Sequence, residues 1–276
     1  MPTWLITGCS TGLGRHLARA VLEHGHRAVV TARDPGSVRD LVDQFPDTAL
    51  ALALDVTDAA QVQASVHAAE ERFGGVDVLV NNAGYGYRAA LEEGDEAEVA
   101  QLFATNFFGA VAMTKAVLPG MRARRSGAVV NISSIGAQVC PAGSGYYAAS
   151  KAALEAASSS LAKEVAPLGI SVVVVEPGLF RTDFAGRSLQ QAREPISDYA
   201  ETAGLRRKEN DHTHGTQPGD PARAAEAIIA AVEADEPPSM LALGEDSLES
   251  HLELLDARRQ VLEAWRTTSV DTRFPG

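Results

Sequence analysis

The stretch Thr3–Gly14, TWLITGCSTGLG, decides the fold. Trp4–Thr7 reads as a short strand. Gly8, Gly12 and Gly14 then follow in GxxxGxG spacing, and Leu13–Glu23 carries a helical pattern. Glycines here permit a tight turn and close backbone approach, and the helix that follows offers its N-terminal N–H groups to a pyrophosphate. No Gly-Lys-Ser/Thr follows at P-loop spacing. Gly8, Ser10, Thr11, Gly12, Leu13 and Gly14 are therefore candidate cofactor contacts. The plainer alternative is a glycine-rich turn that binds nothing.

Outward from this turn, short apolar runs alternate with helical patterns. Trp4–Thr7, Ala28–Ala32, Leu50–Leu54, Val76–Val80, Ala128–Ile132, Ser171–Val175 and Met240–Leu243 read as strands. Most are almost continuously apolar, as parallel strands covered on both faces are. Leu13–Glu23, Pro35–Gln44, Asp58–Arg72, Glu96–Met121, Tyr146–Val165 and Pro221–Ala234 read as helices. The rhythm predicts an α/β fold: one Rossmann-type domain over residues 1–276, a doubly wound parallel sheet of about seven strands with helices on both faces. Ligands of such sheets bind at the carboxyl ends of the strands. The rhythm breaks over residues 184–219, which are polar and weakly periodic. That insertion is read as a lid without strong elements of its own. Residues 246–276 read as a C-terminal helix and tail.

The formal net charge of −12 argues against nucleic acid or an anionic membrane as partner. Cys9 and Cys140 have no CxxC spacing, so no disulfide framework is expected and a reducing cytoplasm fits. No signal peptide is evident, and the apolar runs are strand-length, so no membrane span is expected. His212 and His214 stand in a polar stretch without further ligands, and no metal is expected there.

The second strand ends Thr31-Ala32-Arg33-Asp34. A carboxylate at such a strand tip usually holds the adenosine ribose of NAD. Ala32 occupies that place. Arg33 offers a guanidinium that pairs with a 2′-phosphate. NADP(H) is favoured and NAD(H) stays possible, with Asp34 reading the ribose as the alternative.

Two further motifs complete a pattern. Asn81-Asn82-Ala83-Gly84 follows the fourth strand, and Tyr147-Ala148-Ala149-Ser150-Lys151 forms a YxxxK motif with Ser134 thirteen residues before its tyrosine. Asn106 lies in the preceding long helix. Together these resemble the short-chain dehydrogenase/reductase superfamily of the classical type, over roughly residues 3–245. The TARDP stretch and the C-terminal helix look most like its 17β-hydroxysteroid-dehydrogenase-like oxidoreductases. The resemblance implies adenine contacts at Asp55 and Val56. It implies further cofactor contacts at Asn82, Ala83, Gly84, Pro177, Gly178 and Thr182. Thr11 departs from the pattern, because NADP-using members often carry a basic residue there.

Tyr147 and Lys151 are four apart and share one helix face, whereas Tyr146 points elsewhere. A phenol with a pKa of ~10 needs a nearby cation to serve as a base near neutrality. Tyr147 is thus expected to be the general acid and base. Ser134 is expected to hydrogen-bond the substrate oxygen, with neighbouring Ser133 as the alternative. By resemblance, Lys151 also binds the nicotinamide ribose, and Asn106 holds a water that links Lys151 to solvent.

The expected reaction is hydride transfer between NADP(H) and a carbonyl or secondary alcohol. A cofactor-binding sensor without catalysis is the alternative from another class. Ser134, Gly136, Cys140, Tyr147, Leu179 and Phe180 are expected to line a mostly apolar substrate pocket, with Arg187, Arg206 and Arg207 in reach from the lid. The resemblance also implies a homodimer or homotetramer paired through Glu96–Met121 and Tyr146–Val165.

Overall fold

The computed structural model describes residues 1–186, 188–213 and 215–274, the side chains of 185 and 209–213 excepted. Its elements run β1 (Thr3–Ile6), α1 (Gly12–Glu23), β2 (Arg27–Ala32), α2 (Arg39–Gln44), β3 (Ala49–Ala53), α3 (Ala59–Phe73), β4 (Val78–Asn81) and β5 (Gly86–Arg88). Then come α4 (Glu96–Phe103), α5 (Ala110–Arg124), β6 (Gly127–Ile132), α6 (Gly136–Val139), α7 (Gly145–Val165) and β7 (Ile170–Pro177). The chain closes with β8 (Leu189–Gln191), α8 (Ala203–Thr213), α9 (Pro221–Glu233), β9 (Met240–Leu243), α10 (Glu245–Ala264) and α11 (Arg266–Val270).

Seven strands form one parallel sheet in the order β3-β2-β1-β4-β6-β7-β9. Alternation along each strand explains the continuous apolar runs. Trp4 and Ile6 enter one core layer with Val30, Val80 and the α9 residues Ile228 and Ile229. Leu5 enters the other with Val29, Leu79, Val129 and the α5 residues Met113 and Val117. Both faces are covered, so apolar residues dominate both parities, and buried polar ones such as Thr31 and Asn131 are hydrogen-bonded. The order reverses between β1 and β4, which puts the crevice of such a sheet at the glycine-rich turn and the turn after β4.

Three expectations need correction. The helix expected over Glu96–Met121 is two helices joined by a π turn, Ala104–Gly109. Inserted turns of this kind are frequent at functional sites, and this one contains Asn106. The same stretch, Glu96–Arg124, is long and apolar enough to cross a membrane by length and composition alone. A search for unbroken apolar runs passes over it, because charged residues are scattered through it. Here Leu102, Met113, Val117 and Met121 are packed inside the protein. Third, residues 184–219 do contain elements. β8 pairs with β5 in a separate two-stranded sheet, and α8 follows. Their partners are distant in sequence. Arg207 pairs with Glu93, Arg193 lies 2.9 Å from Glu98, and the Tyr199 hydroxyl donates to Glu92 at 2.6 Å. Such contacts leave no local period to read. Arg187, His214 and the side chain of His212 lie outside the described residues.

Candidate active site

Asn82 pins the glycine-rich turn after β1. Its Nδ2 donates to Thr7 O at 2.8 Å and Gly8 O at 3.0 Å, and its backbone N–H donates to Thr7 Oγ1 at 2.9 Å. Gly14 is obligatory here, since a Cβ on it would stand 2.2 Å from Asn82 Nδ2. The helix behind the turn opens without a side-chain cap from Thr11 and without an acidic residue in its first turn. Uncapped N–H groups at a helix start free of negative charge suit a pyrophosphate. Ser10, Thr11, Gly12 and Leu13 line this edge.

At the tip of β2, Ala32 is buried and Arg33 is exposed. The Asp34 carboxylate accepts the Gly36 N–H at 2.9 Å and caps the 3₁₀ turn Pro35–Val38. Arg15 of α1 secures that turn by donating to Ser37 O at 2.9 Å. Asp55 closes a turn of its own by accepting from the Thr57 N–H at 2.9 Å and hydroxyl at 2.7 Å, and Val56 packs into the core.

The catalytic candidates converge at the carboxyl ends of β4, β6 and β7. Ser134 and Tyr147 flank Gly136, where a Cβ would lie 3.2 Å from Ser134 Oγ and 3.6 Å from the Tyr147 ring. Burial pushes the Tyr147 phenol up to about 12, against smaller downward effects of Ser134 and the Arg88 charge. Lys151 Nζ donates to Ile132 O at 2.8 Å. Burial brings its ammonium down to about 8, while Glu155 opposes the shift. Asn106 bonds both sides of Tyr85, accepting from its N–H at 3.0 Å and donating to its carbonyl at 2.9 Å. Gly84 fits between Asn106 and Lys151. A Cβ on it would lie 3.0 Å from Asn106 Oδ1 and 3.3 Å from Lys151 Nζ.

The alternatives at neighbouring positions separate cleanly. The Tyr146 hydroxyl donates to Leu91 O at 2.6 Å, away from Lys151. Ser133 donates to the Glu155 carboxylate instead of meeting Tyr147. Ala83 N–H joins the glycine-rich turn through Thr7 Oγ1 at 2.9 Å. The Ile135 N–H donates to Pro177 O at 3.1 Å, which sets the Pro177–Gly178 segment beside Ser134. Thr182 caps the turn that carries Phe184.

The pocket residues divide. Gly136 donates its N–H to Ser134 Oγ at 3.0 Å. Leu179 is exposed, and its N–H is held by Asp246 at 2.7 Å. Cys140 is exposed, and its thiol turns back to Ala137 O at 3.3 Å. Phe180 packs against the core beside α9 and β9, near Gly219 and Gly244, so the structure does not bring it to Tyr147. The ring that meets Tyr147 is Phe184, at 5.8 Å between centroids. Of the arginines expected to reach the pocket, Arg207 is committed to Glu93.

Several residues near the site escaped sequence reading. Arg88 acts on Tyr147 from β5, an element too short to leave a pattern. Glu155 receives Ser133 and Gln138, the latter at 2.5 Å. Its position four residues after Lys151 was a usable signal. Glu176 lies buried at the end of β7, 2.8 Å from His251 of α10. Burial, and secondly the Glu155 charge, raise its carboxyl to about 7. Far from this centre in sequence, His24 and His26 present ligand atoms within 4.8 Å of each other and of Glu233. In the structure His24 is paired with Glu226 and His26 with Glu233.

Comparisons with known proteins agree with this geometry. A short chain dehydrogenase family profile matches residues 2–193. The oxidoreductase BOA17 of Botryotinia fuckeliana is 36% identical over 270 residues, covering 97% of both chains. A 3-ketodihydrosphingosine reductase of Bacteroides thetaiotaomicron is 41% identical over 221 residues, 78% of each. The crystal structure of a short-chain dehydrogenase from Streptomyces avermitilis superposes with a TM-score of 0.92 at 43% identity, over 99% of this chain and 100% of that one. These likenesses are to the family at large and do not single out its 17β-hydroxysteroid members.

Proposed function

Because the chain belongs to the short-chain dehydrogenase family, oxidoreductases that act on CH–OH groups with NAD(P), we propose that it transfers hydride between NADP(H) and the carbonyl or secondary alcohol of a medium-sized, mostly hydrophobic molecule. The observation that carries this reading is the convergence of Ser134 and Tyr147 about Gly136, beside a buried Lys151. The glycine-rich turn and α1 N-terminus hold the pyrophosphate, Asp55 and Val56 the adenine, and Asn82, Ala83, Gly84, Pro177, Gly178 and Thr182 the remainder. The nicotinamide, when bound, supplies hydride in reduction and accepts it in oxidation. Ser134 Oγ orients the substrate oxygen. Tyr147 gives that oxygen its proton, and the Lys151 ammonium stabilises the phenolate left behind. With its phenol raised to about 12, Tyr147 is protonated at neutral pH in the free enzyme and stands ready as the acid of ketone reduction.

The ketone-reductase name of the Bacteroides relative supports a carbonyl substrate. Phe184 and the mostly apolar or small residues Ile135, Gly136, Ala137 and Val139 support a hydrophobic one. Residues 184–219 serve as the lid in this reading, supported by the contact of Phe184 with Tyr147. A homodimer or homotetramer across α4–α5 and α7 belongs to it as well, supported by the exposed Phe108 and the small exposed Ala149 and Ala156.

NADP(H) preference rests on Arg33, since Asp34 already caps Gly36 and Ala32 has no carboxylate to repel a 2′-phosphate. One charge-assisted hydrogen bond contributes roughly 1.5–3 kcal/mol, or about ten- to a hundredfold in preference. The experiment is kcat/KM for NADPH and NADH over a ketone panel in wild type, Arg33→Ala and Ala32→Asp. Arg33→Ala is expected to lose NADPH efficiency, and Ala32→Asp to shift the ratio towards NADH. No turnover of any ketone with either cofactor would refute the enzyme reading, and an unchanged ratio in Arg33→Ala would refute the cofactor assignment.

A further inference from the structure

Among the described residues α10 is fastened to the body along one side. Ser247 Oγ donates to Glu176 O at 2.8 Å, His251 lies 2.8 Å from Glu176, and Arg258 donates to Gln138 Oε1 at 3.2 Å. Leu248, Leu252, Leu255 and Leu262 follow at intervals of four, three and seven residues and so share another side. They are 53%, 57%, 60% and 70% exposed. Val261 and Trp265, both 62% exposed, lie round the helix from this stripe, nearer the angle of Ser247 and Arg258. Monomeric proteins rarely leave so many large apolar side chains contiguous and uncovered.

The charges of this helix are segregated along its length. Its first half carries Glu245, Asp246, Glu249, Glu253 and Asp256 with no lysine or arginine. Arg258, Arg259 and, just past its end, Arg266 follow, against a single Glu263. A parallel neighbour of the same sequence would set like charges side by side. An antiparallel one sets the acidic half of each helix on the basic half of the other, and Leu248 and Leu262, each seven residues from Leu255, exchange places about it. The five carboxylates also oppose an anionic membrane surface.

We propose that α10 forms a two-fold interface with a second copy of this chain, the two helices packing antiparallel with their Leu255 residues at the axis. In that arrangement Leu248 of one protomer meets Leu262 of its partner, and every contact off the axis occurs twice, as an isologous interface requires. This surface is separate from the α4–α5 and α7 faces and does not depend on the hydride-transfer reading. Through Asp246 and Leu179 it also steadies the segment after β7.

Two measurements test it. Light scattering at micromolar concentration is expected to show the mass of the triple variant Leu252→Gln/Leu255→Gln/Leu262→Gln halved against wild type. These side chains are exposed, so the fold is expected to survive, as circular dichroism would verify. A monomeric wild type, including one that instead floats with phosphatidylcholine vesicles, or an unchanged mass in the variant, overturns the proposal. Independently, in a Cys140→Ser background, Leu255→Cys is expected to oxidise to a covalent dimer because the two copies meet at the axis. Leu248→Cys lies seven residues off the axis, which at 1.5 Å per residue separates the two copies by about 21 Å along the helix, beyond disulfide reach. Cross-linking of Leu248→Cys as efficient as that of Leu255→Cys, or none of Leu255→Cys, overturns the antiparallel arrangement.

Discussion

Replacing Glu155 by Gln should move the pH at which the enzyme stops reducing ketones. Lys151 is buried, and its ammonium sits at about 8 even with Glu155 holding it up. The two residues are one helical turn apart, with Cβ atoms about 5–6 Å apart. At ~6 Å and an effective dielectric of ~20, their attraction is about 3 kcal/mol, or about two pKa units. Glu155 is only partly buried, so solvent screening reduces this to about one unit. Glutamine keeps the shape and a hydrogen-bonding oxygen for Ser133 and removes the charge. Lys151 would then lose its proton near about pH 7. In the proposed mechanism reduction needs Tyr147 protonated and Lys151 charged, so activity falls as pH rises through the Lys151 value. At about pH 8 the charged fraction would drop from about half to about a tenth, a roughly fivefold loss, while at about pH 6 little changes. The assay is kcat/KM for ketone reduction from about pH 6 to about pH 9.5 in wild type and Glu155→Gln. A falling limb at the same pH in both enzymes, or one displaced upward in the variant, refutes the reasoning.

Tyr147→Phe should lower kcat by ~10²–10⁴-fold while NADPH still binds, and Tyr146→Phe should leave kcat near wild type. The reverse pattern in steady-state kinetics would show that the wrong tyrosine has been assigned. Gly14→Ala forces a Cβ to within 2.2 Å of Asn82 Nδ2 and 2.7 Å of Gly8 O. Lost hydrogen bonds and overpacking should destabilise the protein by about 2–4 kcal/mol and abolish NADPH binding; an unchanged melting temperature counts against the close approach. Glu176 is raised from 4.5 to about 7. Its carboxyl ionises earlier in the unfolded chain, so this group's contribution to stability falls as pH rises from about 4.5 through about 7. Glu176→Gln should therefore raise Tm at about pH 8 more than at about pH 4. Equal calorimetric shifts at the two pH values would contradict the raised carboxyl.

Strand and helix periods, the glycine-rich turn and the Tyr147–Lys151 register were legible in the sequence because each depends on residues within one or two turns of chain. Trp4 and Leu5 announce by adjacency alone that both sheet faces are covered. Tyr147 is chosen over Tyr146 by helical spacing, and the structure sends Tyr146 to Leu91. The π turn around Asn106 was not legible, since an inserted residue changes hydrogen bonding without disturbing composition. Nor were the elements of residues 184–219, whose partners Glu92, Glu93 and Glu98 lie about a hundred residues earlier in the chain. Phe180 and Phe184 are equally apolar and four residues apart, and only packing decides that the first faces α9 and the second Tyr147. Glu155 is marked in the sequence only by its place four residues after Lys151, and its partners Ser133 and Gln138 are brought to it by the fold. Backbone geometry is a local property and leaves a periodic trace, whereas the environment that sets a side chain's charge and contacts is assembled from segments that meet only when the sheet closes.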